Sequence, residues 1–203
     1  MAGPDRQFWQ DHFERGQTPW DRGDSSPQLT AWLAQGRFDP RALAGQVAVP
    51  GCGNGHEVIA LARAGVDVVA IDYTEAACAA TRRRIDAEGL GNARVVNADV
   101  LQWRPAEPLA AVYEQTCLCA LHPDHWVAYA GSLHAWLRPG GQLFVLAMQR
   151  DRPGAAQGFV EGPPTTCTST RCAHCSTSRA GTGRRRRIRW SGTRTWAPSW
   201  PWC

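Results

Sequence analysis

The chain is predicted to fold as an α/β domain, with a parallel sheet covered by helices on both faces. Two observations predict it. Between residues 46 and 148, apolar segments of strand length alternate with segments of helical period. That alternation requires right-handed βαβ crossovers. In addition, the segment Val47-Ala48-Val49-Pro50-Gly51-Cys52-Gly53-Asn54-Gly55-His56-Glu57 places three glycines after an apolar run, and a second run, Val68-Val69-Ala70-Ile71-Asp72, closes on an acid. A strand, a tight glycine turn, a helix and a second strand ending in a carboxylate form the layout of a nucleotide-type cofactor site at a sheet edge.

The elements follow in order. Residues 5–16 read as a short helix with Phe8, Trp9, His12 and Phe13 on one face. Thr18-Pro19-Trp20-Asp21-Arg22-Gly23 reads as a turn, and residues 27–35 as a second helix opened by proline. Residues 46–49 form the first strand and 57–63 the helix after the glycine turn. The second strand covers 66–71, and a helix over 75–88 turns Ala76, Ala80 and Ile85 inward. A third strand over 94–97 runs out at Asp99, and a fourth covers 110–113. Over 125–137, Trp126, Tyr129, Ala130, Leu133, Trp136 and Leu137 recur at three- and four-residue steps, which predicts an amphipathic helix. Arg138-Pro139-Gly140-Gly141 stops it, and residues 142–148 form a fifth, apolar strand.

With 203 residues and 43% hydrophobic content, the chain suits one globular domain. No apolar run reaches the roughly 18 residues that span a membrane, and residues 1–10 are polar without an apolar signal core. A cytoplasmic monomer acting on a small molecule, with neither nucleic acid nor membrane as partner, is the expectation. The charge of +4 is uneven: residues 1–164 carry 14 Arg and 18 acids, a net of −4, whereas 165–203 carry 8 Arg and no acid. Cys52, Cys78, Cys117 and Cys119 sit in apolar or glycine contexts, as reduced thiols do.

The glycines alternate as Gly-x-Gly-x-Gly, where a dinucleotide turn has Gly-x-Gly-x-x-Gly. This suits S-adenosylmethionine (SAM), which has no pyrophosphate to seat. Gly51, Gly53 and Gly55 are expected to let the backbone approach the ligand without a Cβ in the way. Asp72, seventeen residues past Gly55, is expected to take the ribose diol, because an unpaired carboxylate at the end of a buried strand is costly. Asp99, with Val100 beside it, stands at the end of the next strand, where the acid could accept from the adenine amino group. Helix capping is the structural alternative for both acids.

Six ordered motifs then resemble the thiopurine S-methyltransferase family, most closely its bacterial members and the plant thiol and halide methyltransferases. They are Gln17-Thr18-Pro19-Trp20-Asp21-Arg22-Gly23, Val49 through Glu57, Asp99-Val100-Leu101-Gln102-Trp103-Arg104-Pro105, Cys119-Ala120-Leu121-His122-Pro123, Leu137-Arg138-Pro139-Gly140-Gly141 and Glu161-Gly162-Pro163-Pro164. The resemblance spans about residues 8–164. It implies a class I, Rossmann-like SAM-dependent methyltransferase sheet and an N-terminal segment, residues 1–45, folded over the cofactor. The core would then occupy 46–164. The aromatic positions that contact SAM in the family fall on Trp9 and Trp20, with Phe13 where plant members carry tryptophan. Glu114 and Gln115 fall where the family lines the methyl-transfer pocket. Trp9 and Trp20 as plain core aromatics are the commoner alternative.

The implied reaction is methyl transfer to a thiol, thiopurine, halide or other chalcogen nucleophile. Such acceptors need little general base, since a thiol already has a minor thiolate population at pH 7, so no catalytic side chain is assigned. His122 and His125 could assist proton removal, although a His-Pro turn and a helix-start histidine are more often structural. A methyltransferase of the same fold acting on oxygen or nitrogen, and an inactive SAM-binding remnant, are the rival readings. Cys117-Leu118-Cys119 reads as buried strand packing rather than a metal or redox pair.

Residues 165–203 suggest a shifted reading frame after about residue 164 and a disordered tail. If each codon takes one base from its predecessor, His174-Cys175 yields leucine, Trp196-Ala197 glycine, Trp200-Pro201 alanine and Trp202-Cys203 valine. An amphipathic helix start and a closing apolar strand both become possible. The zinc-like set Cys167, Cys172, His174 and Cys175 fits no common module, so no metal is expected. The sheet is accordingly expected to be incomplete at its C-terminal side.

Overall fold

The computed structural model describes residues 4–147. Its sheet has five parallel strands in the order β3-β2-β1-β4-β5, formed by β1 (Val47–Pro50), β2 (Val68–Asp72), β3 (Ala93–Asn97), β4 (Leu109–Gln115) and β5 (Leu137–Leu146). The chain grows outward from β1 to β3, then returns to lay β4 against the other side of β1. The strand order therefore reverses between β1 and β4. At such a reversal the loops leaving the two strands diverge and open a crevice at the carboxyl edge of the sheet.

The helices are α1 (Arg6–Glu14), α2 (Pro27–Ala34), α3 (Pro40–Leu43), α4 (His56–Arg63), α5 (Glu75–Ala87), α6 (Cys117–Ala120) and α7 (Trp126–Trp136). Strand alternation sorts the core into two layers. Val47, Val49, Val68, Ala70, Ala111 and Tyr113 face a cluster with Leu29 and Trp32 of α2, Leu43 of α3, Val58 and Leu61 of α4, and Ile85 of α5. Ala48, Val69, Ile71 and Val112 face the opposite cluster with Tyr129, Leu133 and Trp136 of α7. Each fully buried side chain of this size contributes about 1.5–3 kcal/mol, and continuous burial on both faces explains why β1 and β2 are apolar at nearly every position. Helices do cover both faces. Residues 27–43, grouped by sequence with the covering segment, supply Leu29, Trp32, Phe38 and Leu43 to the core itself.

Several details differ from expectation. On α5 the buried residues are Ala77, Cys78, Thr81 and Ile85, not Ala76 and Ala80. The reason is polar: Cys78 Sγ donates to the Asp72 carbonyl at 3.3 Å and Thr81 Oγ1 donates to the Gly53 carbonyl at 2.8 Å. These bonds rotate the helix about one position from the alanine face. On α7, Ser132 is buried where Ala130 is only partly so, and Leu137 has left the helix to pair with Leu109. The fifth strand therefore begins before the Pro139-Gly140 excursion. The short α3 was not anticipated. Cys117-Leu118-Cys119 is a turn of helix, not strand, because Thr116 reverses the chain with φ 64° and Glu114 Oε1 accepts the Leu118 N–H at 2.8 Å. The expectations for residues 148–203, including the tail and its cysteines, lie outside the described residues.

Candidate functional site

The glycine turn follows β1 at the strand-order reversal. Gly51, Gly53 and Gly55 have φ of 61°, 52° and 79°, left-handed values that glycine adopts without a steric penalty. Their surroundings differ from the expected common role. A Cβ on Gly51 would lie 2.9 Å from Cys117 Cβ, and one on Gly55 would lie 2.6 Å from Thr81 Oγ1. Both are glycine because other parts of the protein pack there. At Gly53 the nearest atom is the Phe13 ring, 3.5 Å away, so only the middle glycine faces the covering segment.

Asp72 ends β2, 7% exposed. Its Oδ2 accepts the Gly53 N–H at 3.1 Å, and its Oδ1 accepts from the backbone and hydroxyl of Thr74 at 2.9 and 2.7 Å. Burial pushes its carboxyl above the usual range, against these three bonds and a further one from the Tyr73 backbone. The acid thus joins the ends of β1 and β2. Asp99 lies in the turn beyond β3, which ends at Asn97, and its Oδ1 accepts the Leu101 N–H at 2.8 Å. That bond closes the turn over 100–102, and no helix follows for the acid to cap. The Val100 side chain is buried in the α7-side core, leaving only its backbone for a ligand.

Glu114, in β4, is 1% exposed, and its Oε2 has no hydrogen-bond partner. Burial raises its pKa to about 7, against bonds from the Leu118 and Cys117 backbone. Gln115 belongs to another network. It donates to Glu57 Oε1 at 3.1 Å and accepts from Tyr113 at 2.5 Å, while Glu57 also accepts the Ser26 N–H at 3.1 Å. The end of β4, the first turn of α4 and the start of α2 are thereby tied together.

Above the turn lies an aromatic cluster. Trp20 packs against Trp9, His12 and Phe13 at centroid distances of 5.3, 5.9 and 6.0 Å, and Phe8 packs edge-on against Trp9 at 5.2 Å. No residue of α1 is buried, and Trp9 and Trp20 belong to neither core cluster. The plain-core alternative for these two tryptophans therefore does not describe the structure.

Sequence reading missed what clasps this cover to the turn. Asp21 accepts from Asn54 Nδ2, and its Oδ1 lies 2.9 Å from His56 Nε2, an ion-pair distance although the pair is not aligned as a hydrogen bond. Burial pushes the Asp21 carboxyl up, but the bonds from Asn54 and Gly23 and the nearby His56 outweigh it and leave the pKa lowered. Arg84 lies 3.2 Å from the other nitrogen of His56, and Gln10 Oε1 accepts the Ala76 N–H at 3.2 Å. The available signal was that Asp21, Asn54 and His56 all lie inside the quoted motifs. His122 Nδ1 accepts the Asp124 N–H at 3.3 Å, and His125 is exposed in the turn before α7.

The five-strand order, the reversal beside β1 and the glycine turn define the Rossmann-like class I fold of SAM-dependent methyltransferases. A profile match to "Thiopurine S-methyltransferase (TPMT)" extends over residues 4–179, and the chain belongs to the thiopurine S-methyltransferase family. It is 30% identical over 159 residues to "Probable thiol methyltransferase 2" of Arabidopsis thaliana, covering 77% of this chain and 65% of that protein. It is 25% identical over 180 residues to thiopurine S-methyltransferase of Legionella pneumophila (strain Corby), covering 82% and 78%. A solved structure described as "Conversion of a Disulfide Bond into a Thioacetal Group during Echinomycin Biosynthesis" superposes with a TM-score of 0.61 at 28% identity, covering 75% of this chain and 63% of that one. The chain spans a little under two thirds of the plant relative's length.

Proposed function

We propose that this chain transfers the methyl group of SAM to a small sulfur-type nucleophile, a thiol or thiopurine, with halide or other chalcogen acceptors in the same class. One observation carries the reading: an aromatic cluster without a buried residue on its helix lies over a glycine turn at the switch point of the sheet. Family membership and the thiol methyltransferase named among the relatives support the acceptor class.

The residues present fit the cofactor. Asp72 ends β2 beside the glycine turn and keeps 7% of its surface exposed, and its carboxylate would accept from a ribose hydroxyl there. Asp99 and the Val100 backbone would stand at the adenine end, and Glu114 at the end of β4. The faces of Trp9 and Trp20 would meet the sulfonium cation, an attraction of about 0.5–2 kcal/mol. When bound, SAM supplies a methyl group already activated by positive charge on sulfur. The protein's own task is then to orient the acceptor and exclude water, which contributes up to about 7–11 kcal/mol in well-aligned reactions. The clasp of Asp21 on Asn54 and His56 would hold the cover closed during that alignment.

SAM titration followed by methyl-transfer assays over thiols, thiopurines, iodide and oxidised tellurium or selenium tests the reading. Saturable binding with transfer to sulfur is expected. Transfer confined to alcohols or amines would overturn the acceptor class, and failure to bind SAM would overturn the whole. A cytoplasmic location and a monomeric state belong to the same proposal. So does the shifted frame after about residue 164, for which resequencing is the test; an intact frame in independent reads contradicts it.

A further inference from the structure

The cover over the glycine turn is fastened by polar bonds rather than by the core. No residue of α1 is buried. Arg6 donates to Asn97 at 3.3 Å on the exposed surface, and Gln10 accepts the Ala76 N–H at 3.2 Å. Asp21 accepts from Asn54 and faces His56, with the two side chains of that pair only 17% and 10% exposed. The Phe13 ring lies 3.5 Å from the point that a Cβ on Gly53 would occupy, so the cover closes directly onto the middle of the turn. A cofactor lying along the turn enters or leaves only when the cover lifts.

Asp21 belongs to both halves of this contact. Its neighbour in sequence, Trp20, is the ring against which Trp9, His12 and Phe13 pack. Its partners, Asn54 and His56, flank Gly55 in the turn itself. The receiving side is braced: Arg84 of α5 lies 3.2 Å from His56 Nδ1, and Thr81 of the same helix donates to the Gly53 carbonyl at 2.8 Å. An arginine can only donate, and a neutral ring that accepts at Nδ1 carries its proton on Nε2, toward Asp21. That nitrogen stands 2.9 Å from Asp21 Oδ1 without hydrogen-bond alignment, so a small shift of the cover completes the bond. The strap that carries Asp21 runs between Gly16 and Gly23, and nothing lies within 4 Å of a Cβ built at either glycine. Ends of that kind are where a segment hinges.

We infer that Asp21 is the latch of a lid, its hold on Asn54 and His56 gating both the entry of SAM and the exit of S-adenosylhomocysteine. This rests on the methyltransferase reading above and adds how traffic through its cofactor site is controlled. Asp21 is a positioning residue, and no bond is exchanged at it. A gate and a binding contact differ in their kinetics. Losing a contact speeds release and weakens affinity in proportion. Loosening a gate speeds entry and release together and leaves affinity nearly unchanged.

The test follows association and dissociation of SAM and S-adenosylhomocysteine by stopped-flow tryptophan fluorescence in the full chain, in Asp21→Ala and in Asp21→Asn. Asp21→Ala is expected to raise both rate constants about tenfold for either ligand, to keep Kd within about threefold, and to keep Tm within about 4 °C. Asp21→Asn keeps a carbonyl oxygen for Asn54 but loses the charge facing His56, so both its rate constants are expected to rise by about threefold. Faster release with unchanged entry in Asp21→Ala would overturn the assignment and make Asp21 a plain binding contact. Unchanged rates, or a larger fall in Tm, would overturn it as well. A parent chain that binds neither ligand would instead overturn the cofactor reading, and is recognised before any variant is compared.

Discussion

Two aromatic clusters of similar make-up flank the sheet, and they differ in burial. Trp32, Phe38, Tyr113 and Phe144 stack at centroid distances of 4.2 to 6.3 Å and are all at most 4% exposed. Phe8, Trp9, His12, Phe13 and Trp20 stack at 4.3 to 6.0 Å, yet Phe8 is 40% exposed and α1 buries nothing. The first cluster is complete without a ligand and belongs to stability. The second holds apolar ring surface beside the glycine turn, held by polar clasps rather than by the core. Ring chemistry alone does not separate the two roles; the surface left uncovered does.

The largest expected effect tests the buried cluster. Phe144→Ala should cost about 3–5 kcal/mol of stability, read as a fall in the denaturation midpoint. A loss below about 1 kcal/mol would mean that this cluster is not the core.

Glu114 comes next, a buried acid near the end of β4 whose carboxylate meets the Leu118 N–H. Its folded pKa of about 7 lies above the ordinary 4.5, so the folded state holds the proton more tightly than the unfolded chain. The contribution is fully present below pH 4.5 and is lost as pH rises through 7, an order of about 3 kcal/mol. Glu114→Gln should flatten the stability–pH profile across that window. An unchanged slope would show that the acid titrates normally.

Asp72→Ala should lower SAM affinity by about tenfold to a hundredfold, measured by calorimetry. It also removes the brace on Gly53 and Thr74, so its Tm should fall as well. Unchanged affinity would remove Asp72 from the site.

Most of the sheet was legible because β1, β2 and β4 are buried on both faces and so read as unbroken apolar runs. The glycine turn was legible because left-handed backbone selects glycine. Its detailed cause was not: Gly51 and Gly55 answer to Cys117 and Thr81, which are distant in sequence, and no local pattern reports such packing. The inward face of α5 was misread for the same reason, since Cys78 and Thr81 are turned by carbonyls on other elements. The reversal at Thr116 was invisible in principle, because threonine in sequence favours extended backbone and only tertiary contacts force the opposite. The clasp from Asp21 to Asn54 and His56 was present in the quoted motifs, but its pairing is a fact of tertiary structure.

The smallest expected effect is also the most direct test of the exposed cluster. SAM carries a sulfonium charge and S-adenosylhomocysteine does not, so calorimetric titration of the parent chain and Trp20→Ala with both separates cation binding from simple ring contact. Trp20→Ala should lose about twofold to thirtyfold in affinity for SAM, should lose less for S-adenosylhomocysteine, and should keep its stability within about 1 kcal/mol. An equal loss for both ligands, or a fall in stability like that of Phe144→Ala, would contradict the claim that this cluster waits for the cofactor.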